Sequence, residues 1–312
     1  MSLTRWRNIP TTGLMFVALA AMWGTSFVAI EVGLEFFPTL TYAALRYELA
    51  GLVMLGYALF STDRWYPKRR DELLMTAIGA VFIIAAYHAL LYLGQNYVPG
   101  AIASIIISLS PILTAAFASA ILSTRSLGKT GIAGLVAGFA GVVVVANPDA
   151  GILGSSQAMG IALIFLGAAS FSLGSVLTRP LRTDLPVQSI QAWTMFGGGL
   201  ILHVAGLARG ESMAAIHWVP EAVAAFLYLT LVSGAVAFLL YFELLDRVGP
   251  TELNLIGYLE PVVAALMSWV LLGHVVSNST LVGFVAIFAG FALIKKDALL
   301  GFVGVVRRRV AV

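Results

Sequence analysis

The sequence contains no cysteine, which excludes disulfide bonds and cysteine-ligated metal centres but indicates little about the cellular compartment. It is also poor in charge. Only 11% of its 312 residues are Asp, Glu, Lys or Arg, whereas a soluble domain carries about 25%. Apolar residues take their place, at 60% of the chain with a mean hydropathy of +0.96. This composition predicts an integral membrane protein with several spans.

Sequence motifs of several other function classes are absent. There is no His-Glu-x-x-His, no Gly-x-Ser-x-Gly and no pair of aspartates within a span, which disfavours an intramembrane enzyme. Nucleotide-binding motifs are missing too, which disfavours ATP-driven pumping by this chain. The net charge of +3 is too small to indicate nucleic-acid binding. Four scattered histidines do not predict a metal site.

Ten apolar segments, each bounded by turn-forming or charged residues, predict ten transmembrane helices. Their approximate spans are 13–33, 40–60, 72–95, 99–122, 129–147, 157–178, 187–208, 219–243, 249–272 and 279–295. The first segment follows Arg5 and Arg7 and could imitate a signal peptide, but its apolar run is too long for one. The connections are short, which disfavours a receptor or scaffold and leaves only a short basic tail at the end of the chain.

Lysine and arginine are distributed unevenly between the loops. If the N-terminus is placed in the cytoplasm, 16 of the 18 basic residues fall on the cytoplasmic side. Arg209 falls outside, and Arg46 lies within a span. This bias predicts that both termini are cytoplasmic and that residues 149 and 211 are external.

The second half of the chain repeats the first. The segment that runs from Val98 to Pro111 returns between Val248 and Pro261, so that Ser110 corresponds to Glu260. We therefore divide the chain into residues 1–150 and 151–312, with five spans each. An odd number of spans inverts the second copy relative to the first, about a pseudo-two-fold axis in the membrane plane. The third and eighth spans align only weakly.

These features resemble the EamA branch of the drug/metabolite transporter superfamily. The resemblance rests on the Trp23-Gly24-Thr25-Ser26-Phe27 segment, on the repeated proline segments and on a glycine-rich last helix in each half, and it covers about residues 14–146 and 157–295. It is strongest to bacterial inner-membrane exporters of aromatic and other amino acids, the YddG type. One departure is that Ser123-Thr124 and Gly273-His274 stand where the family often has a Gly-Glu pair.

The resemblance implies an all-α fold of ten transmembrane helices in two inverted five-helix repeats. It also implies export of amino acids or related metabolites by alternating access through a central cavity in the bacterial inner membrane. No cofactor is expected, and the partners are a small-molecule substrate and membrane lipid. A multidrug or other metabolite exporter of the same superfamily is the alternative.

Glu260 is the strongest candidate for a substrate-site residue. At about 1.5 Å per residue it lies roughly 15 Å beyond Pro250, near the bilayer midplane. A carboxyl group at that depth costs about 2.5–3.5 kcal/mol on insertion scales, so it is expected to face protein or water. Pro261 follows directly and leaves a backbone carbonyl free. The alternative is a carboxyl group that only joins helices.

Polar and aromatic residues at helical spacing provide the other candidates. In the third span His88, Tyr92 and Gln95 share a face, with Tyr87 beside it. Such a face suits a cavity for an amphipathic solute, although helix-to-helix hydrogen bonding would explain it as well. The full predicted set of substrate-binding residues is Trp23, Tyr87, His88, Tyr92, Gln95, Ser108, Asn254, Tyr258 and Glu260. These side chains favour a zwitterion with an apolar or aromatic side chain as the solute.

Other residues are given structural interpretations. We predict that Arg46 is a structural clamp with Glu31 as its partner, because Glu48 is only two residues away and faces elsewhere. Pro111 and Pro261 are predicted hinges. Secondary candidates for the pathway are Gln191, Trp193 and Tyr228, and histidines 203, 217 and 274 are expected at the outer surface.

Glycines at helical spacings of three, four and seven residues mark the fifth and tenth spans. They are Gly134, Gly138, Gly141, Gly283 and Gly290. Small residues at these spacings let helices approach closely, so each of these spans is expected to stiffen its own half. A monomer is expected, and a homodimer formed through these glycines is the alternative.

Overall fold

The computed structural model describes residues 9–122, 128–146, 156–249, 253 and 256–294. Every regular element in these ranges is helical, which confirms the predicted all-α fold of ten helices. The helices are α1 Ile9–Leu34, α2 Thr39–Ser61, α3 Arg70–Gln95, α4 Gly100–Ile121, α5 Lys129–Ala146, α6 Ser156–Leu177, α7 Val187–Ala208, α8 Pro220–Val248, α9 Ile256–Leu272 and α10 Asn278–Ile294. Seven are long and apolar enough to cross a bilayer, and α5, α9 and α10 are shorter apolar helices. The boundary between the halves, near residue 150, lies outside the described residues and stays a prediction.

The helix ends gather at two faces of different charge. One face, here called the basic end, holds the loop that leads into α3 and the loop between α6 and α7, which are joined by an Arg69–Asp184 ion pair at 2.7 Å. At the other face, the opposite end, the Glu211 carboxylate accepts hydrogen bonds from the backbone N–H of Leu40 and Thr41 at the start of α2. A carboxylate at a helix N-terminus satisfies free N–H groups and complements the helix dipole. Glu211 of the second half thus caps the N-terminus of α2 in the first half.

The first helix of each half packs on the other half. Gly24 of α1 lies against the backbone oxygen of Glu260 in α9, a contact so close that a side chain would not fit. In the same way α6 packs on α3 and α4: a Cβ at Gly174 would meet Phe82, and the Ser172 hydroxyl donates to the Ser110 carbonyl at 2.9 Å. The two halves are therefore interleaved rather than stacked side by side.

Helices α5 and α10 pack tightly on each other, one from each half. A Cβ at Gly283 would lie 2.6 Å from the Gly141 carbonyl oxygen, and a Cβ at Gly290 would lie 2.8 Å from the Gly138 nitrogen. The missing side chains let the two backbones meet across the halves, a contact that sequence reasoning did not predict. The glycine faces of α5 and α10 therefore contact each other within one chain, which leaves them unavailable for the homodimer contact considered above. Each helix also packs within its own half, since Gly138 lies against Leu109 and Ile112 of α4 and Phe291 lies against Tyr258 of α9.

The third helix of each half contains a π-helical segment. In α3 it covers Gly79–Ala86 and in α8 it covers Tyr228–Val236, about 149 positions later. The sequences of these two spans align only weakly, yet both helices have a π-helical segment at the equivalent place. An inserted residue widens the helical turn, and such segments are frequent at functional sites.

The fourth helix of each half differs at its proline. In α4 the helix breaks at Ser108 and Leu109, and Pro111 lies in the first turn of the continuing part Ser110–Ile121. In α9 the helix runs unbroken through Pro261. The predicted hinge at Pro111 therefore coincides with a break, whereas Pro261 is accommodated inside a continuous helix.

Candidate functional site

Arg46 lies at the centre of the bundle and is almost completely buried, at 5% exposure. Its Nη1 donates to the Tyr92 hydroxyl at 2.9 Å and its Nη2 to the Ser233 hydroxyl at 3.4 Å. The guanidinium carbon also lies 4.6 Å from the centre of the Tyr47 ring, a cation–π contact. Arg46 thus joins α2 to α3 and to the π segment of α8.

The predicted partner of Arg46, Glu31, is engaged elsewhere. Its carboxylate accepts the Gly100 N–H at 2.7 Å and lies 3.0 Å from Nδ1 of His274, at the opposite end of the bundle. The predicted Arg46–Glu31 pair is therefore wrong: the carboxylate instead satisfies a free N–H at the start of α4. Glu48 likewise binds His203 at 2.8 Å and not Arg46, as expected. His203 is thus an interhelical contact rather than an outer-surface residue.

His88 is fixed by two hydrogen bonds within the helices. Its Nδ1 lies 2.9 Å from the Ile84 carbonyl oxygen, an acceptor, so Nδ1 carries a proton. Its Nε2 forms a hydrogen bond with the Tyr47 hydroxyl. The imidazole lies between the rings of Tyr47 and Tyr87, at centroid distances of 4.4 and 4.2 Å. His88 therefore orients two tyrosines of the site.

Glu260 and Tyr87 face the same interior region from α9 and α3. Both are only partly buried, and Tyr87 lies within electrostatic range of Glu260 and of Arg46. No hydrogen bond or ion pair joins the Glu260 carboxylate to any side chain in the described ranges. The Tyr87 ring packs edge-on against Phe171 of α6 at 5.4 Å. A carboxylate without a protein partner and an adjacent aromatic wall are available to a solute.

On the α1 side, Trp23 completes the aromatic surroundings. Its ring lies 5.4 Å from Phe238 and 5.5 Å from Tyr241 of α8, and its Nε1 donates to the Ser233 carbonyl at 3.3 Å. The Tyr228 hydroxyl, a secondary candidate, donates to the Met22 carbonyl at 2.9 Å. We call the following residues the central group: Trp23, Ser26, Arg46, Tyr87, His88, Tyr92, Ser233 and Glu260.

Several predicted residues lie away from the central group. Gln95 donates to the Phe27 carbonyl at 2.9 Å and ties α3 to α1 towards the opposite end. The Ser108 hydroxyl donates to the Ile105 carbonyl of its own helix at 2.6 Å. Tyr258 packs against Phe291 of α10 at 4.3 Å, because residues two apart on a helix cannot both face the side that Glu260 faces. Asn254 lies outside the described residues.

The secondary candidate Trp193 lies at the basic end. Its Nε1 donates to the Trp65 carbonyl at 2.9 Å, and the two rings stack at 6.2 Å. Ser26 and Ser233, by contrast, were not predicted and belong to the central group. Serine is so common in membrane helices that only its contact with a buried arginine reveals its role.

A cavity of about 290 Å³ lies at the opposite end of the bundle. Its walls come from Pro99, Ile102, Val145, Gln157, His274 and Thr280, among others. None of the predicted site residues lines it. It adjoins the Glu31–His274 contact, outside the central group. In the described part of the chain, no group of three or more His, Asp or Glu residues could hold a metal ion.

Fold and comparisons define the class as a multi-pass membrane transporter. The chain belongs to the EamA-like transporter family, whose model matches residues 11–147 and 158–295. It is 30% identical over 281 residues to the uncharacterized inner membrane transporter YedA of Escherichia coli, covering 88% of this chain and 87% of the relative. It is 27% identical over 285 residues to a probable terminal-alkyne amino-acid exporter of Streptantibioticus cattleyicolor, covering 91% and 93%.

A solved crystal structure shares the fold, with a TM-score of 0.63 and 21% identity, and the match covers 92% of this chain and 98% of the other. The family and these relatives are transporters rather than enzymes. Together with the apolar helices they place the chain in the inner membrane, with a small molecule as its substrate.

Proposed function

We propose that this protein exports amino acids, chiefly those with aromatic or other apolar side chains, by alternating access through the centre of the bundle. The observation that carries the proposal is the central group, in which a buried cation, a carboxylate without a protein partner and aromatic rings lie together where the two halves meet. A zwitterion with an apolar side chain needs these three kinds of contact. The similarity to an amino-acid exporter adds support.

The alternative substrate is a cationic drug or another metabolite. Glu260 and the aromatic rings would suit a hydrophobic cation as well. The buried Arg46 would repel such a solute, because like charges in a low-dielectric interior are costly to bring together. This contrast favours the zwitterion.

For orientation, we propose that the basic end is cytoplasmic. Basic residues in the short loops of this end support it. Along α1, Met22 and Trp23 are partly exposed, whereas residues 26–30, which lie nearer the opposite end, are all buried. This difference in exposure fits a pathway that opens towards the basic end. Glu31 bridges α4 and His274 at the other end and helps to close it. We also propose a monomer with its halves at residues 1–150 and 151–312.

Transport by purified protein in proteoliposomes tests this function. Labelled phenylalanine, threonine and a quaternary ammonium dye would be compared, each with and without a pH gradient across the membrane. We expect phenylalanine to be transported faster than threonine and the dye not to be transported above the rate of empty vesicles. Transport of the dye alone would replace the proposed function with multidrug export.

A further inference from the structure

Arg46 retains hydrogen-bonding capacity that no protein group uses. A guanidinium carries five N–H donors, and only two bonds to described residues are formed, both to hydroxyl groups. Its Nε is buried and has no acceptor. Buried donors without acceptors are rare in folded proteins, and each one calls for an explanation.

The charge of Arg46 is also uncompensated. It forms no ion pair in the described part of the chain, and Glu31 and Glu48, the two acidic residues considered as its partners, bind His274 and His203. Removing a charge from water is costly unless a counter-charge accompanies it. The hydroxyls of Tyr92 and Ser233 hold the side chain in place but leave its charge unmatched.

Packing alone does not require a cation here. Thr194 of α7 occupies the repeat-equivalent position, 148 residues later, as the reciprocal contacts of Gly51 with Phe196 and of Gly199 with Glu48 indicate, and it is also buried. The same location in the inverted half is therefore filled by an uncharged side chain. The two halves therefore differ at this position, and only the first half has a charged side chain there.

We propose that Arg46 is the receptor for the carboxylate group of the transported solute. This inference rests on the proposed function and names the group that it would recognise. A planar guanidinium matches a carboxylate through two parallel, charge-assisted hydrogen bonds. Glu260, whose carboxylate has no protein partner, would take the ammonium group of the same solute, and Tyr87 lies within electrostatic range of both residues.

Binding to Arg46 would also affect the helix contacts. A carboxylate oxygen is a stronger acceptor than the Ser233 hydroxyl, whose contact with Nη2 is already long at 3.4 Å. Ser233 lies in the π segment of α8 and also contacts Ser26 of α1. Displacing Ser233 from Arg46 would therefore change how α2 is joined to α8, which couples occupancy to helix packing.

Four related ligands test the inference with purified protein in detergent. They are phenylalanine, 3-phenylpropionate, phenylalaninamide and phenethylamine, of which only the first two carry a carboxylate. Their dissociation constants would be measured through the rise in melting temperature of the parent, of Arg46→Met and of Arg46→Lys. Met keeps an unbranched side chain and removes the charge and the donors. Lys keeps the charge and loses the planar fork, and unliganded melting curves and gel filtration establish that each variant is folded.

We expect Arg46→Met to weaken binding of the two carboxylates about tenfold or more, as expected for a lost buried charge pair. Binding of phenylalaninamide and phenethylamine should not weaken and should become tighter, since both are cations and the substitution removes a guanidinium that repels them. Arg46→Lys should fall between the parent and Arg46→Met for the carboxylates, because it keeps the charge alone.

Equal losses for all four ligands, or no stabilisation of the parent by either carboxylate, would overturn the inference. Failure of the proposed function is distinguishable from both. A protein that binds 3-phenylpropionate through Arg46 but does not transport phenylalanine in proteoliposomes would keep the carboxylate receptor and exclude amino-acid export. If the parent transports both phenylalanine and phenylalaninamide, and Arg46→Met reduces the two transport rates equally, the transport function would stand and the carboxylate receptor would be excluded.

Discussion

The hydroxyl oxygens of Ser26 and Ser233 lie 2.6 Å apart, although the residues are 207 positions apart in the chain. Ser26 donates its single proton to the Met22 carbonyl at 2.9 Å, so Ser233 is the donor between the two serines. Ser233 in turn accepts from Arg46. The result is a directed chain of hydrogen bonds from α2 through α8 to α1, and bonds in such a chain strengthen one another.

Ser233→Ala should break this chain. It removes the acceptor of Arg46 Nη2 and the donor to Ser26, so we expect a loss of about 1–3 kcal/mol in stability. The melting temperature of the detergent-solubilised protein is the measurement. Ser108→Ala is the matched control, because that buried hydroxyl bonds only to a carbonyl of its own helix. Equal destabilisation by the two variants would show that the chain contributes nothing of its own.

The contact between α5 and α10 gives a second prediction. Gly283→Leu should greatly reduce the yield of folded protein, since its side chain would meet the Gly141 carbonyl oxygen and the backbone of Val145. Gly56→Leu in α2 should be tolerated, because nothing lies within 4 Å of the Cβ position there. Fluorescence size-exclusion chromatography of tagged variants measures both. A monodisperse Gly283→Leu protein at parental yield would contradict the close packing of these helices.

Tyr87 and Tyr258 were both predicted to bind substrate, and the structure separates them. Tyr87→Ala should raise the KM for phenylalanine more than that for threonine, because its ring lies beside Phe171 in the central region. Tyr258→Ala should affect both solutes alike through stability, since its ring packs on α10. Transport in proteoliposomes, normalised to folded protein, distinguishes these roles. A selective effect of Tyr258→Ala would place that ring on the pathway.

Sequence reasoning predicted the ten helices well, because long apolar runs between charged loops leave few alternatives. It also placed Tyr87, His88 and Tyr92 on neighbouring faces of one helix, because helical spacing requires it, but it did not predict that Arg46 contacts Tyr92. Partner choice was not predictable in the same way. Glu31 binds Gly100 and His274 because α1 packs against α4 and α9, and a contact between helices distant in sequence leaves no local pattern.

The π-helical segments and the interleaving of the two halves were likewise not predictable from the sequence. A π turn depends on where one extra residue fits against neighbouring helices, and the residues of Gly79–Ala86 carry no signal for it. Glycines of α5 and α10 predicted close approach but not the partner, which belongs to the other half. Asn254, near the repeated proline segment, stays a prediction because it lies outside the described residues.

Orientation in the membrane is tested by cysteine labelling, for which this cysteine-free chain has no background. With the basic end in the cytoplasm, Ser212→Cys should react with an impermeant thiol reagent added to intact cells, and Lys68→Cys should not. Both side chains are exposed, at opposite ends of the bundle. Asp149→Cys, outside the described residues, should label like Ser212→Cys. The reverse pattern would overturn the orientation that we propose.

The most direct test of the central claim, that the central group carries an amino acid, is phenylalanine transport by Glu260→Gln in proteoliposomes with and without a pH gradient. The substitution keeps the shape and removes the charge, and Glu221→Gln, at an exposed glutamate of the opposite end, is the control. If Glu260 holds the ammonium group, KM should rise about tenfold or more. If it carries a proton instead, acceleration by the gradient should disappear while exchange persists. A folded Glu260→Gln protein that transports phenylalanine like the parent under both conditions would contradict the account.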